Sequence, residues 1–147
     1  MTDVDLQRFR DLVSGDHGLA VISIATETGG VHTSVANAGV LDRRGGPVVG
    51  VVIAGSSRKL TLLREHPRAA ATLRAGWQWA SVEGPVELAG PNDPHPDFDQ
   101  DGIRLLLRDI FTAAGGQHDD WDTYDRVMAE ERRTGVLVTP DRVYSSA

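Results

Sequence analysis

Apolar residues recur at helical spacing through residues 2–13, where Val4, Phe9, Leu12 and Val13 fall near one face and Thr2 or Asp3 stands as N-cap. This predicts a first helix, ended by Ser14, Gly15 and Asp16. The period then shortens. LAVISIAT at 19–26 is rich in β-branched residues, ETGG at 27–30 has turn chemistry, and VHTSVANAGV at 31–40 reads as the returning strand of a hairpin. LDRRGG at 41–46 supplies another turn. PVVGVVIA at 47–54 is an almost continuous apolar run, which predicts a strand covered on both faces.

GSSRK at 55–59 leads into a short helix at 60–64, stopped by His66 and Pro67, and AAATL at 69–73 resumes as a strand. WQWASVEGPVEL at 77–88 predicts a long strand with a bulge or bend at Gly84 and Pro85. Turn residues crowd AGPNDPHPD at 89–97, a loop. Residues 101–114 and 120–132 then alternate apolar and charged positions at helical spacing, with Gly115 and Gly116 between them and Asp119 and Asp120 capping the second helix. GVLVTPDRVYS at 135–145 returns to strand character.

The order is helix, four or five strands, two helices, one strand, without repeats or a linker between two cores. Short hairpin turns and segregated helices favour an α+β fold over a doubly wound parallel sheet, which needs a helix between successive strands. The expected architecture is a small closed or split β-barrel of mainly antiparallel strands with peripheral helices. It forms one domain over residues 1–147.

Composition narrows the function. The longest apolar stretch, 47–54, is far shorter than the roughly 20 residues that span a bilayer, and the charged N-terminus lacks a signal-peptide core, so a cytoplasmic protein without membrane contact is expected. The chain has no cysteine, which removes disulfides, thiolate metal sites and cysteine nucleophiles. A net charge of -6 argues against nucleic-acid binding. The charge is not evenly spread, however: Arg58, Lys59, Arg64, Arg68 and Arg74 face only Glu65 in their segment, whereas 93–125 is strongly acidic.

Two features bear on chemistry. Ser56, Ser57, Arg58 and Lys59 lie where the buried strand ends and a helix begins, so helix-start N–H groups, hydroxyls and cations could converge on a phosphate; the same residues also suit a capped helix with two solvated cations. Trp77 and Trp79, two apart on a strand, share a face on which to stack against a planar ring or to fill the core. His17, His32, His66, His95 and His118 show no paired metal-ligand spacing, so no metal is expected. There is no nucleophile elbow and no identifiable pair of catalytic carboxylates, and no catalytic residue is assigned.

Taken in order, these elements resemble the pyridoxamine 5'-phosphate oxidase-like split β-barrel superfamily, and within it the actinobacterial branch of deazaflavin-dependent oxidoreductases. The resemblance rests on the leading helix and hairpin, the basic strand-to-helix loop, LLREHPRAAATL at 62–73, WASVEG at 79–84, QHDDWDTYDRVMAEERR at 117–133 and VLVTPDRVY at 136–144. It implies that cofactor phosphate binds at Ser56, Ser57, Arg58 and Lys59, with Lys59 the best match to the family's basic position. Many relatives carry a second basic residue where this chain has Ser57, with Arg58 as a candidate substitute. Thr33, Ser34 and Asn37 are implied contacts to the cofactor ring or chain, although they also suit a plain sheet.

The implied activity is that of a coenzyme F420-dependent reductase, passing hydride between reduced deazaflavin and a conjugated small-molecule substrate. FMN on the same loop is the alternative cofactor, and a non-catalytic F420 carrier is the alternative function. The resemblance also implies a homodimer. The C-terminal Arg/His motif of true pyridoxamine-phosphate oxidation is lacking, which disfavours a role in vitamin B6 synthesis.

Overall fold

The computed structural model describes residues 6–146, and within them the chain forms four α-helices, one 3-10 turn and seven strands. The proposed caps Thr2 and Asp3 and the apolar Val4 lie outside the described residues. Helix α1 spans Gln7–Val13 and buries Phe9, Leu12 and Val13, as its periodicity requires. Strands β1 (Leu19–Ala25) and β2 (Val31–Arg43) form the expected hairpin, although β2 runs to Arg43 and absorbs half of the turn assigned to 41–46. β3 (Gly46–Ile53) follows, then α2 (Arg58–Glu65), β4 (Arg68–Ala75) and β5 (Gln78–Ala89).

Helices α3 (Gln100–Ala113) and α4 (Trp121–Glu130) are the expected pair, capped by Asp99 on the Gly102 N–H and by Asp120 on the Thr123 N–H. The final strand region divides into β6 (Thr134–Val138) and β7 (Arg142–Ser145). No helix among the described residues is long and apolar enough to cross a membrane.

The strands pair antiparallel in the order β4-β1-β2-β3-β6-β5, and β4 pairs again with β5, closing a six-stranded barrel with β7 added along β5. Phe9, Ile22, Ile24, Val49, Val51, Leu73 and Val82 belong to the core cluster inside it, with Leu60 and Leu63 of α2. A second cluster joins Val48 and Leu137 of the barrel to Leu106 and Ile110 of α3. β3 is therefore covered on both faces, which explains its unbroken apolar run.

The irregularity at Gly84 and Pro85 is a change of partner. β5 pairs with β4 through Pro85 and with β6 from Val86 onward. A side chain at Gly84 would place its Cβ 1.7 Å from the Thr139 carbonyl oxygen, so the chains cross at this corner only because the residue is glycine.

A second discontinuity matters more for function. β2 pairs with β1 over residues 31–37 but with β3 only over residues 38–43, matched to 46–51. Beyond Ala38 and Val51 the two strands separate, and β3 continues against β6 through Ile53. The barrel is split there.

Candidate functional site

The split is occupied from one side by the strand-to-helix loop. Ser57 is the N-cap of α2, its hydroxyl accepting from the Lys59 N–H at 3.2 Å, so the cap explains that serine locally. The cap starts the helix with Lys59 in its first turn, and the Lys59 ammonium reaches across to donate to Ser34 Oγ at 3.0 Å on β2. Burial holds the Lys59 pKa below the ordinary lysine value, and the charge of Arg133 acts in the same direction. Among the described residues no carboxylate pairs with this ammonium.

Arg133 arrives from the other side. Helix α4 ends in a Schellman-type stop: the Arg133 N–H donates to the Met128 carbonyl at 2.9 Å and the Arg132 N–H to the Ala129 carbonyl at 3.1 Å. Arg132 occupies the left-handed position with φ 51°, where glycine is usual. The Gly55 N–H donates to the Glu131 carbonyl at 3.1 Å, and a Cβ on Gly55 would lie 2.7 Å from both Arg132 Cβ and its carbonyl oxygen. Glycine at 55 thus lets the loop before α2 sit against the end of α4. That contact brings Lys59 and Arg133, 74 positions apart in sequence, to one cavity of about 290 Å³, also lined by Asn37, Val52 and Ser57.

Glu131 engages Arg133 through Nε at 3.0 Å, and the cavity lining itself contains no carboxylate. Two cations and a hydroxyl in a recess without an acid suit an anion, because each gains a charge-assisted hydrogen bond and the mutual repulsion of the cations is relieved.

The residues singled out from the sequence divide clearly. Ser34, Asn37, Ser57 and Lys59 come together at the split. Asn37 is already engaged, its Nδ2 donating to the His17 carbonyl at 2.8 Å, which closes the turn before β1. Ser56 on the loop and Arg58 at the start of α2 are exposed and do not line the cavity. Thr33 is exposed on the opposite face of β2 from Ser34, as strand alternation demands.

Trp77 is not on a strand: it lies in the turn before β5 and is 97% exposed, and Trp79 on β5 is 39% exposed. Of the two uses open to them, core filling is ruled out for both: Trp77 lies before the strand, and β5 alternates so that Ala80 and Val82 take the inward positions. Trp79 lies on a strand separated from β2 by β4 and β1, and neither tryptophan lines the cavity. His66 joins Glu27 and Glu65 in an exposed surface cluster whose ligand atoms lie within 4.8 Å of one another. Arg133 was missed altogether: in RRTG it reads as a solvated charge after a helix, and with no glycine at the stop nothing local marks the turn that redirects it.

No family model matches the sequence. Solved structures do match the fold. A pyridoxamine 5'-phosphate oxidase-related, FMN-binding protein from Nostoc punctiforme aligns with TM-score 0.70 at 10% identity, over 99% of this chain and 86% of that one. The fold is the pyridoxamine 5'-phosphate oxidase-like split β-barrel. A conserved hypothetical protein from Mycobacterium tuberculosis aligns with TM-score 0.65 at 19% identity, over 97% of this chain and 84% of that one. An F420 reductase aligns with TM-score 0.62 at 12% identity, over 92% and 94% respectively. Split barrels that differ this much in sequence share their architecture, and the likeness is one of fold.

Proposed function

We propose that this protein is a cytoplasmic coenzyme F420-dependent reductase that acts on a conjugated small organic substrate. The observation that carries this reading is the desolvated Lys59 ammonium facing Arg133 across the split, without a carboxylate in the cavity lining. A cofactor phosphate supplies the charge that this recess lacks. Lys59 and Arg133 would hold that phosphate, with Ser57 and the start of α2 beside it.

When bound, the deazaflavin supplies hydride transfer, and the chain's residues bind, orient and exclude water. Barrel closure supports this division of labour: the cavity walls are strand backbone and capped helix ends, which hold a ligand in one geometry. No protein group is assigned as proton donor, and solvent can protonate the reduced substrate.

The outer face of the barrel supports a homodimer. Val21 and Val35 are paired neighbours on β1 and β2, and with Val31, Trp79 and Tyr144 they remain exposed along a sheet that runs from β2 to β7. A second copy laid on this face would shield an extended cofactor that one small barrel cannot enclose.

The deciding experiment is spectral titration of the apoprotein with F420 and with FMN, followed by stopped-flow oxidation of bound reduced deazaflavin with enones and quinones. The expected result is preference for F420 and acceptor-dependent oxidation. Preference for FMN would overturn the cofactor assignment. Tight F420 binding without oxidation by any acceptor would make the protein a carrier.

A further inference from the structure

Arg133 lines more than the anion recess. On its other side lies a cavity of about 220 Å³ between the sheet and the helical pair, bounded by Val52 of β3, Ile110 and Phe111 of α3, and Tyr124 and Met128 of α4. Asn37, Val52 and Arg133 border both cavities, so the two are neighbours across these side chains. One is polar and cationic, the other apolar and aromatic.

The walls of the second cavity are fixed in place. Tyr124 is buried and donates to the Leu107 carbonyl at 3.0 Å, and its ring lies 5.1 Å from that of Phe111. Trp121 packs edge-on to both rings, at 6.0 Å from Phe111 and 5.3 Å from Tyr124. Asp125 ties α4 to α3 through Arg108 and, at 3.2 Å, through Arg104. A helix held by an aromatic cluster and two ion pairs keeps its gap from the sheet, and no side chain of the described residues closes it.

We propose that the cavity beneath α4 is a binding site for a small aromatic anion, its planar body among Val52, Phe111, Tyr124 and Met128 and its anionic group on Arg133. The chemistry follows from the lining: aromatic edges and a thioether favour a planar apolar body, and a guanidinium at the mouth favours a phosphate or carboxylate attached to it. Arg133 also influences both neighbours electrostatically, lowering the pKa of Lys59 and opposing the rise of the Tyr124 hydroxyl to about 12 that burial causes. The inference rests on the reading of Arg133 as an anion ligand, but not on the identity of the redox cofactor.

The test is calorimetric titration of the full chain with 1-naphthyl phosphate and with inorganic phosphate, for wild type, Met128→Trp and Arg133→Ala. The naphthyl ester is expected to bind at least tenfold more tightly than inorganic phosphate. Met128→Trp should abolish that advantage while leaving inorganic phosphate unchanged, and Arg133→Ala should weaken both anions at least fivefold. Should the tryptophan variant not fold, intermolecular NOEs from naphthyl protons to the Met128 methyl of the wild type replace it. Equal affinity for the two anions, or absence of those NOEs, overturns the aromatic site alone. Failure of both anions to bind overturns it together with the anion recess.

Discussion

Two of the arginine-lined recesses, at different ends of the barrel, are built on opposite electrostatic plans. The larger, about 580 Å³, is lined by Arg43, Arg44, Glu87, Asp97 and Phe98. Its central cation is fully engaged: Arg43 meets Glu87 at 3.4 Å and Asp97 at 2.8 Å, and its guanidinium lies 5.0 Å from the centre of the Phe98 ring. His95 adds a contact to Glu87 at 3.1 Å. The smaller recess, at the split, holds Lys59 and Arg133 with no carboxylate in its lining. Volume therefore points to the wrong end of the molecule. A cation already matched by carboxylates gains little from an incoming anion, whereas the desolvated Lys59 ammonium, which faces Arg133 and meets no carboxylate among the described residues, gains a great deal.

The sharpest way to break this comparison is Lys59→Ala. A hydrogen bond to a charged group contributes about 1.5–3 kcal/mol, so cofactor or phosphate affinity should fall roughly ten- to a hundredfold. Thermal stability should change by less than about 1 kcal/mol, because the ammonium serves the ligand rather than the core. Paired titration and melting curves check both; unchanged affinity would remove Lys59 from the site.

A smaller, graded effect is expected with pH. Because the folded-state pKa of Lys59 lies below its ordinary value of 10.5, the ammonium loses its proton earlier than an exposed lysine, and anion affinity should decline as pH rises through that lowered pKa. Stability moves the other way. The unfolded chain holds this proton more tightly, so the contribution of Lys59 to stability is fully present above 10.5 and is lost as pH falls through the folded pKa. Lys59→Met should flatten both profiles. A wild-type affinity that is flat across this alkaline window would contradict the assignment.

The smallest effect on binding should come from the other recess. Arg43→Ala should leave cofactor affinity within about twofold, while costing about 1–2 kcal/mol of stability through two partly exposed ion pairs and a cation–π contact. Denaturant unfolding beside titration separates the two. A tenfold loss of affinity in this variant would show that both ends take part in binding.

Much of this architecture was legible in the residue pattern. The hairpin of β1 and β2, the doubly covered β3, the helical pair and the Asp120 cap all follow from local periodicity and capping chemistry. The loop carrying Ser57 and Lys59 was legible too, because a strand end followed by a serine and a cation is a local signal. The partnership of Lys59 with Ser34 was not, since the side chains belong to elements 25 positions apart. Trp77 and Trp79 misled because an aromatic residue near a strand reports apolarity, not which face the closed barrel leaves outside.

What the sequence by itself determined is the set of elements: period, turn residues and caps act over a few residues, and each is satisfied locally. What only the tertiary structure decided is where those elements meet. Closure of β4 on β5 and the change of partner at Gly84 set the barrel, and the separation of β2 from β3 beyond Val51 opens the split. The left-handed Arg132 then turns Arg133 toward Lys59. Such encounters arise from long-range packing, in which Gly55 permits a close approach that no periodicity in its own segment encodes.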